Sequence, residues 1–203
     1  TIFSLLNSPT FPKLLTKEVE DDGIKYLVYY LVFNEGNTTE KPCPFDEVLV
    51  TYRGTSLENV SGVVSATEFD KETLGVKFPL NSLVGGWGEI VPLFGKGIFD
   101  ETATGNGPNV YTNYGAGIMF LPSGLGYFNG NGGSALIKSY SPLVFSFQLL
   151  NFIRVDTDSD GIMTVDELVK NSEGYYVKES YTNTDGDNYY DFNDFDDDND
   201  GYP

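Results

Sequence analysis

Residues 86–94 read GWGEIVPLF, and Trp87, Ile90, Val91 and Phe94 recur there at helical spacing. A short amphipathic helix is expected, with Pro92 working against its second half. The flanking pattern is that of strands. Residues 23–33 (GIKYLVYYLVF), 48–52 (VLVTY), 76–80 (VKFPL), 117–121 (GIMFL) and 143–153 (LVFSFQLLNFI) are apolar, with β-branched and aromatic side chains prominent. Pro79 marks an edge or a bend. In the last stretch Val144, Ser146 and Gln148 form the opposite set. Residues 34–44, 97–115 and 127–133 are rich in turn formers and read as loops. No crossover helices separate the strands, so the fold class is α+β, an antiparallel sheet with one short helix.

The composition divides the chain. Its 203 residues carry 12 Lys+Arg, 30 Asp+Glu, no His and one Cys, a net charge of −18. Residues 1–154 hold 10 basic and 15 acidic side chains, whereas residues 155–203 hold 2 and 15. Three regions follow: 1–22 as a leader or linker with a short helix, 23–154 as the folded domain, and 155–203 as an acidic appendage. Without His, a Ser-His-Asp triad, a Cys-His dyad and a Cys/His metal cage are excluded. Cys43 makes no internal disulfide. The acidic balance argues against nucleic acid, and no apolar run of about 18 residues spans a membrane. The chain starts at Thr1 without Met and stops inside an acidic pattern, so trimming at both ends is expected, with room for a lipid anchor upstream of Thr1.

The appendage repeats a cation-loop spacing. Asp156, Asp158, Asp160, Gly161 and Glu167 fit D-x-D-x-D-G-x5-E. Side-chain oxygens at alternate positions wrap one hard cation, the Ile162 carbonyl adds another oxygen, Thr164 takes the position that often binds through water, and Glu167 chelates with both oxygens. A second loop uses Asn183, Asp185, Asp187, the Tyr189 carbonyl, Asp191 and Asp194. Asn188 stands there for the Gly and Asp194 for the Glu, and Asn tolerates left-handed angles. Asp196, Asp198 and Asp200 start a third repeat, which is expected to join the second loop's ion. Ca2+ is therefore the expected cofactor, structural rather than catalytic. The other reading of residues 156–171 is an acidic loop capping a helix. Crowded carboxylates and few apolar residues predict a poorly ordered tail without metal. The tail resembles EF-hand loops, dockerins and thrombospondin type-3 repeats, although the segment before Asp156 is strand-like rather than an entering helix.

The order of pieces in residues 48–153 resembles FKBP-type peptidyl-prolyl cis-trans isomerases: VLVTYRG at 48–54, Phe69 with Asp70, FPL at 78–80, GWGE at 86–89, LPSGLGY at 121–127, then LVF at 143–145 with Leu149 and Leu150. The family pattern is roughly VxVxYxG, FD, FxL, GWxE, IPxxLAYG and LVFxVELL. The style is closest to gliding-motility lipoproteins of the Bacteroidetes. The resemblance implies a sheet wrapped around the helix, with a catalytic pocket of Tyr52, Phe69, Asp70, Trp87, Tyr127 and Phe145, and with Val76, Leu83, Val84 and Ile137 binding the substrate. Trp87 would form the floor, and Tyr127 and the backbone near Ile137 would hydrogen-bond the bound chain. Four features depart from the pattern: Val76 where an aromatic is usual, the GYF at 126–128, Lys138 and Ser139 for a proline pair, and the 97–115 insertion, whose Tyr111 and Tyr114 would cover the pocket or bind a client. Read alone, Trp87, Phe69, Phe145, Tyr52 and Tyr127 are ordinary aromatics, and Asp70 is a turn cap.

The resemblance implies an enzyme acting on X–Pro bonds in peptides or unfolded proteins, outside the cytoplasm in the periplasm or at the cell surface. The alternatives are a non-catalytic FKBP-fold binding module with a calcium-dependent spacer, and a dockerin-like tail that is itself the functional part.

Overall fold

The computed structural model describes residues 2–6, 8–102 and 109–202. Strand β1 (Lys13–Asp21) turns through Asp22 and Gly23 into β2 (Ile24–Asn34). Both turn residues have positive φ, 50° and 75°, as a two-residue loop matching strand twist requires. Residues 13–21, expected in a leader or linker, are thus part of the sheet. Their inward positions include Lys17, which hides the strand period. Its ammonium is buried and donates to the Glu89 carboxylate at 2.7 Å and the Glu89 carbonyl at 3.0 Å.

β3 (Glu47–Val60) and β4 (Val63–Pro79) form a long hairpin, turning at Ser61 and Gly62 with φ of 54° and 86°. A 3-10 turn, Leu80–Ser82, leads into helix α1 (Gly85–Ile90), which tightens to 3-10 geometry at Val91–Leu93 around Pro92. The α-helix is therefore shorter than residues 86–94. Pro92 has no N–H to continue its ladder. Residues 97–115, expected as loop, carry a small ladder between β5 (Ile98–Phe99) and β6 (Tyr111–Thr112); the rest of that insertion lies partly outside the described residues. β7 (Gly115–Leu121) and β8 (Leu143–Ile153) complete the sheet, in the order β1-β2-β7-β8-β3-β4 with every pairing antiparallel.

One face of this sheet holds the core. In β8, Leu143, Phe145, Phe147 and Leu149 point inward and are buried, while Ser146 and Gln148 alternate outward. Trp87, Ile90, Val91 and Phe94 close over them together with Val28, Val48, Val50 and Met119. The helix comes close because Gly86 has no side chain: a Cβ there would lie 2.3 Å from Leu121 Cδ2.

The acidic tail packs onto the domain. After helix α2 (Thr164–Glu167), Leu168, Tyr176, Tyr181, Tyr190 and Phe192 gather with Cys43 and Phe45 in a second apolar cluster. Tail aromatics thus supply burial not anticipated from the composition. The junction is braced by Arg154, which donates to the fully buried Asp46 carboxylate at 2.5 Å and to the Lys41 carbonyl at 2.8 Å. Arg154→Ala leaves Asp46 buried without its cation and is expected to cost about 1–3 kcal/mol. Urea unfolding of the full chain measures it, and an unchanged midpoint would show that water replaces the guanidinium. No helix among the described residues is long and apolar enough to cross a membrane.

Candidate functional site

Between the sheet's inner face and α1 lies an aromatic cluster, the candidate basin. Trp87 and Phe145 are almost fully buried and meet edge to face, 5.3 Å between centroids. Tyr52 stands perpendicular to Trp87 at 5.7 Å, and Phe69 perpendicular to Phe145 at 5.7 Å. Such edge-to-face rings lock one another's rotamers and present an apolar surface with defined shape. Gly54, on β3 between Tyr52 and Ser56, makes room for two of these rings. A Cβ there would lie 2.6 Å from Phe69 Cζ and 2.9 Å from Phe145 Cε1. Gly54→Ala is expected to destabilise by about 1–3 kcal/mol through overpacking and to separate Phe69 from Phe145. Denaturant unfolding read beside aromatic near-UV circular dichroism tests this; a spectrum and midpoint like those of the parent would count against it.

The rim is polar at one point. The Tyr52 hydroxyl donates to the exposed Asp70 carboxylate at 2.5 Å. Burial, and then the Asp70 carboxylate, hold the Tyr52 phenol well above its ordinary value, so it stays a donor. Tyr127 is half-buried, packs against the same cluster, and is raised in the same direction by burial and by Asp70. Its ring lies against Gly132, where a Cβ would come within 2.4 Å.

The remaining expected residues gather around this basin. Val76, Leu83 and Val84 are half-buried against the core, and Ile137 is buried in it. The Ile137 amide donates to the Ser134 carbonyl at 3.2 Å and is thereby engaged. Val84 caps α1 with an extended backbone, its carbonyl accepting from the Trp87 amide at 2.9 Å. The wall near Val76 is supplied by a residue the pocket assignment omitted. Phe78, two positions along the same face of β4, meets Tyr52 edge-on at 6.0 Å. Tyr114, expected to cover the pocket or bind a client, lies on the face opposite the pocket. Its hydroxyl accepts from Gln148, one of the outward residues of β8. Tyr111 pairs with Phe99 across the small ladder.

In the tail, three repeats share one scaffold. The first side chain of each accepts backbone N–H groups: Ser159 and Gly161 donate to Asp156, Gly186 to Asn183, and Asp200 and Gly201 to Asp196. The third and fifth side chains accept from amides two residues on, as in Asp160 to Asp158 and Ile162 to Asp160. The left-handed turn falls on the fourth position of every repeat, Ser159, Gly186 and Asn199, with φ of 70°, 78° and 58°. Asn188, expected to take such an angle in place of Gly, is not among the positive-φ residues. The first and third repeats have a second positive φ at their sixth position, Gly161 and Gly201, at 104° and 91°. Thr164 and Asp191 are engaged inside their loops. Thr164 accepts from the Thr157 amide at 3.0 Å, and Asp191 from the Thr184 amide and hydroxyl at 2.7 and 3.0 Å.

Carboxylate oxygens of Asp156, Asp158 and Asp160 lie within 4.8 Å of one another, as do those of Asp185, Asp187 and Asp194. Glu167 is 9% exposed, yet neither carboxylate oxygen has a hydrogen-bond partner. Burial, with Asp158, Asp160, Asp197 and Asp156 around it, pushes Glu167 up to about 8. A divalent cation at this point would supply what the orphaned oxygens lack, so the donor set fits a hard ion.

No family model and no curated protein matches the sequence. Solved structures do. The backbone is similar to that of a peptidyl-prolyl cis-trans isomerase from Pseudomonas syringae pv. tomato, at 22% identity and TM-score 0.47, over 74% of this chain and 86% of that one. It is similar to the three FKBP domains of wheat FKBP73, at 16% identity and TM-score 0.47, over 69% of this chain. FkpA from Escherichia coli shares 26% identity with TM-score 0.44 over 68% of this chain. The match spans 51% of each of the latter two.

Two site features escaped the residue-level reading although the sequence carries signals for them. Phe78 sits in the quoted FPL, and the strand period places it beside Val76. Gly54 ends the quoted VLVTYRG, and a glycine inside a strand marks a close approach.

Proposed function

We propose that the chain is an FKBP-type peptidyl-prolyl cis-trans isomerase acting on X–Pro bonds of peptides or unfolded proteins, with a Ca2+-stabilised tail. The observation that carries this is the buried Trp87 floor, with Tyr52 and Phe145 edge-on to it, Phe78 edge-on to Tyr52 and Phe69 edge-on to Phe145. Together with the order of motifs along the chain, it supports a pocket shaped for a proline ring. The barrier to rotating an amide, about 18–20 kcal/mol, comes from resonance that a twisted bond has lost. The twisted carbonyl and nitrogen are less polar than the planar amide, so an apolar, water-poor wall favours the twisted state over the ground state. No nucleophile and no general base are required, which suits a chain without His. Tyr127, protonated and at the rim, is the proposed donor to the bound chain. The Tyr52–Asp70 hydrogen bond fixes the opposite wall.

Asp156, Asp158, Asp160, the Ile162 carbonyl and Glu167 would hold one Ca2+, and Asn183, Asp185, Asp187, the Tyr189 carbonyl and Asp194 a second. The ion supplies charge neutralisation that lets these loops close, and it takes no part in isomerisation. Loops of this kind work at the calcium levels found outside the cytoplasm, which supports an extracytoplasmic location.

The test is isomerisation of an X–Leu-Pro or X–Phe-Pro peptide by the full chain, with excess calcium and with chelator. Acceleration blocked by an FKBP inhibitor is the expected result. Folded protein with no acceleration would overturn the enzyme reading in favour of a binding module. One observation favours that second reading. Phe128 and Tyr140, both exposed, pair edge to face at 5.2 Å beside Tyr127 and offer an apolar grip outside the pocket.

A further inference from the structure

The third acidic repeat lies across the other two. Asn199 donates to the Asp185 carboxylate of the second loop. Asp197, at the second position of its repeat where the earlier repeats have Thr157 and Thr184, turns the other way. Its carboxylate joins Asp160 and Glu167 of the first loop, with ligand atoms within 4.8 Å of one another. The Asp196 amide also donates to Asp194 of the second loop, so the expectation that the third repeat serves that loop's ion leaves out the approach of Asp197 to the first loop.

We propose that Asp197 is a ligand of the first loop's cation, so that this site is built from residues 156–167 plus one carboxylate thirty positions downstream. The inference rests on the cation reading above and goes beyond it, since twelve consecutive residues are enough for such a loop. Three observations converge. Asp160 belongs to both groups of close carboxylates, once with Asp156 and Asp158 and once with Glu167 and Asp197, so the two groups adjoin at that residue. Glu167 is nine-tenths buried and unpartnered at both oxygens. One oxygen each of Asp158 and Asp197 is also buried without a hydrogen-bond partner. Four orphaned oxygens on residues of these two adjoining groups are costly for the protein alone. They match a divalent cation that takes six to eight oxygens. Thr164, engaged with Thr157, leaves a coordination position for Asp197 to fill.

The ion would then act as a clasp that ties residues 196–202 back onto residue 156. Calorimetric titration of the full chain with CaCl2 tests it, using Glu167→Gln, Asp197→Asn, Asp197→Ser and Asp198→Asn. Asp198 is the control, an acid of the same repeat grouped with Asp196 and Asp200 instead. Glu167→Gln and both Asp197 variants are expected to weaken the same binding event by at least about 10-fold, the scale at which even residues behind a ligand act. Asp198→Asn should leave that event in place. If the Asp197 variants leave the Glu167-dependent event unchanged, or if Asp198→Asn weakens it equally, Asp197 is not a ligand and the loop binds alone. If the parent binds no calcium, the cation reading itself falls and takes the inference with it. Near-UV circular dichroism in excess calcium establishes that each variant keeps the tyrosine packing of the tail.

Discussion

Trp87→Ala lowers the stability of the domain by about 3–5 kcal/mol and abolishes binding of FKBP-pocket ligands. The indole is 3% exposed and touches the rings of Tyr52, Phe145 and Phe147. Truncation removes its transfer free energy and leaves a cavity that the sheet, fixed by β8 and β3 on either side, cannot collapse to fill. Because so large a loss confounds function with folding, Trp87→Phe is the companion variant. It keeps an aromatic floor of smaller area, should cost less stability, and should weaken ligand binding without removing it. Urea unfolding and inhibitor titration are the two measurements. Undiminished ligand affinity in folded Trp87→Phe and Trp87→Ala would show that the basin is core and nothing more.

If the tail binds calcium as proposed, removal of the ion is expected to act on the other end of the chain. The carboxylates around Glu167 repel one another, and burial with those neighbours already pushes Asp197 up to about 6 and Glu167 to about 8. A cation bound only by the closed tail stabilises it by about 2.7 kcal/mol at a hundred times its dissociation constant, so the open fraction falls by about 100-fold. Limited proteolysis should show this directly. Cleavage within residues 155–202 is expected to accelerate strongly in chelator, while the central strands β2, β7 and β8 stay protected by their pairing. The packing of Tyr181 and Phe192 on Phe45 should weaken with it. Cleavage that ignores calcium would mean that the second apolar cluster alone holds the tail.

The sheet was legible where burial is one-sided. In β8 the alternation of Phe145, Phe147 and Leu149 with Ser146 and Gln148 can be read directly, and in α1 and the 3-10 turn after it the spacing of Trp87, Ile90 and Val91 marks the buried face. It was illegible where side chains carry charge for tertiary reasons. β1 looks like linker because Lys17 occupies an inward position, neutralised by a glutamate 72 residues away that no local pattern reveals. β4 looks short because residues 63–75 are mostly exposed and polar; pairing with β3 holds them. At the candidate site, the aromatic set follows from motif order, whereas Phe78 and Gly54 require strand register. The first cation loop follows from spacing alone. Asp197 could not, because its partners Asp160 and Glu167 belong to a different repeat.

The β3–β4 hairpin outruns the sheet that supports it. Pairing of β3 with β8 ends at Ser56, and the Leu57 amide donates a last bond to the Pro142 carbonyl, yet β3 and β4 stay paired to Val60 and Val63. Val60, Val63 and Val64 at the tip are more than half exposed. A bare two-stranded ribbon is marginal in water. One strand therefore spans two thermal regimes: its base opens only when the whole domain does, and its tip frays in equilibrium with the native state. Hydrogen exchange read along β3 would record that gradient as a change of protection within a single element, with no change in secondary structure to announce it.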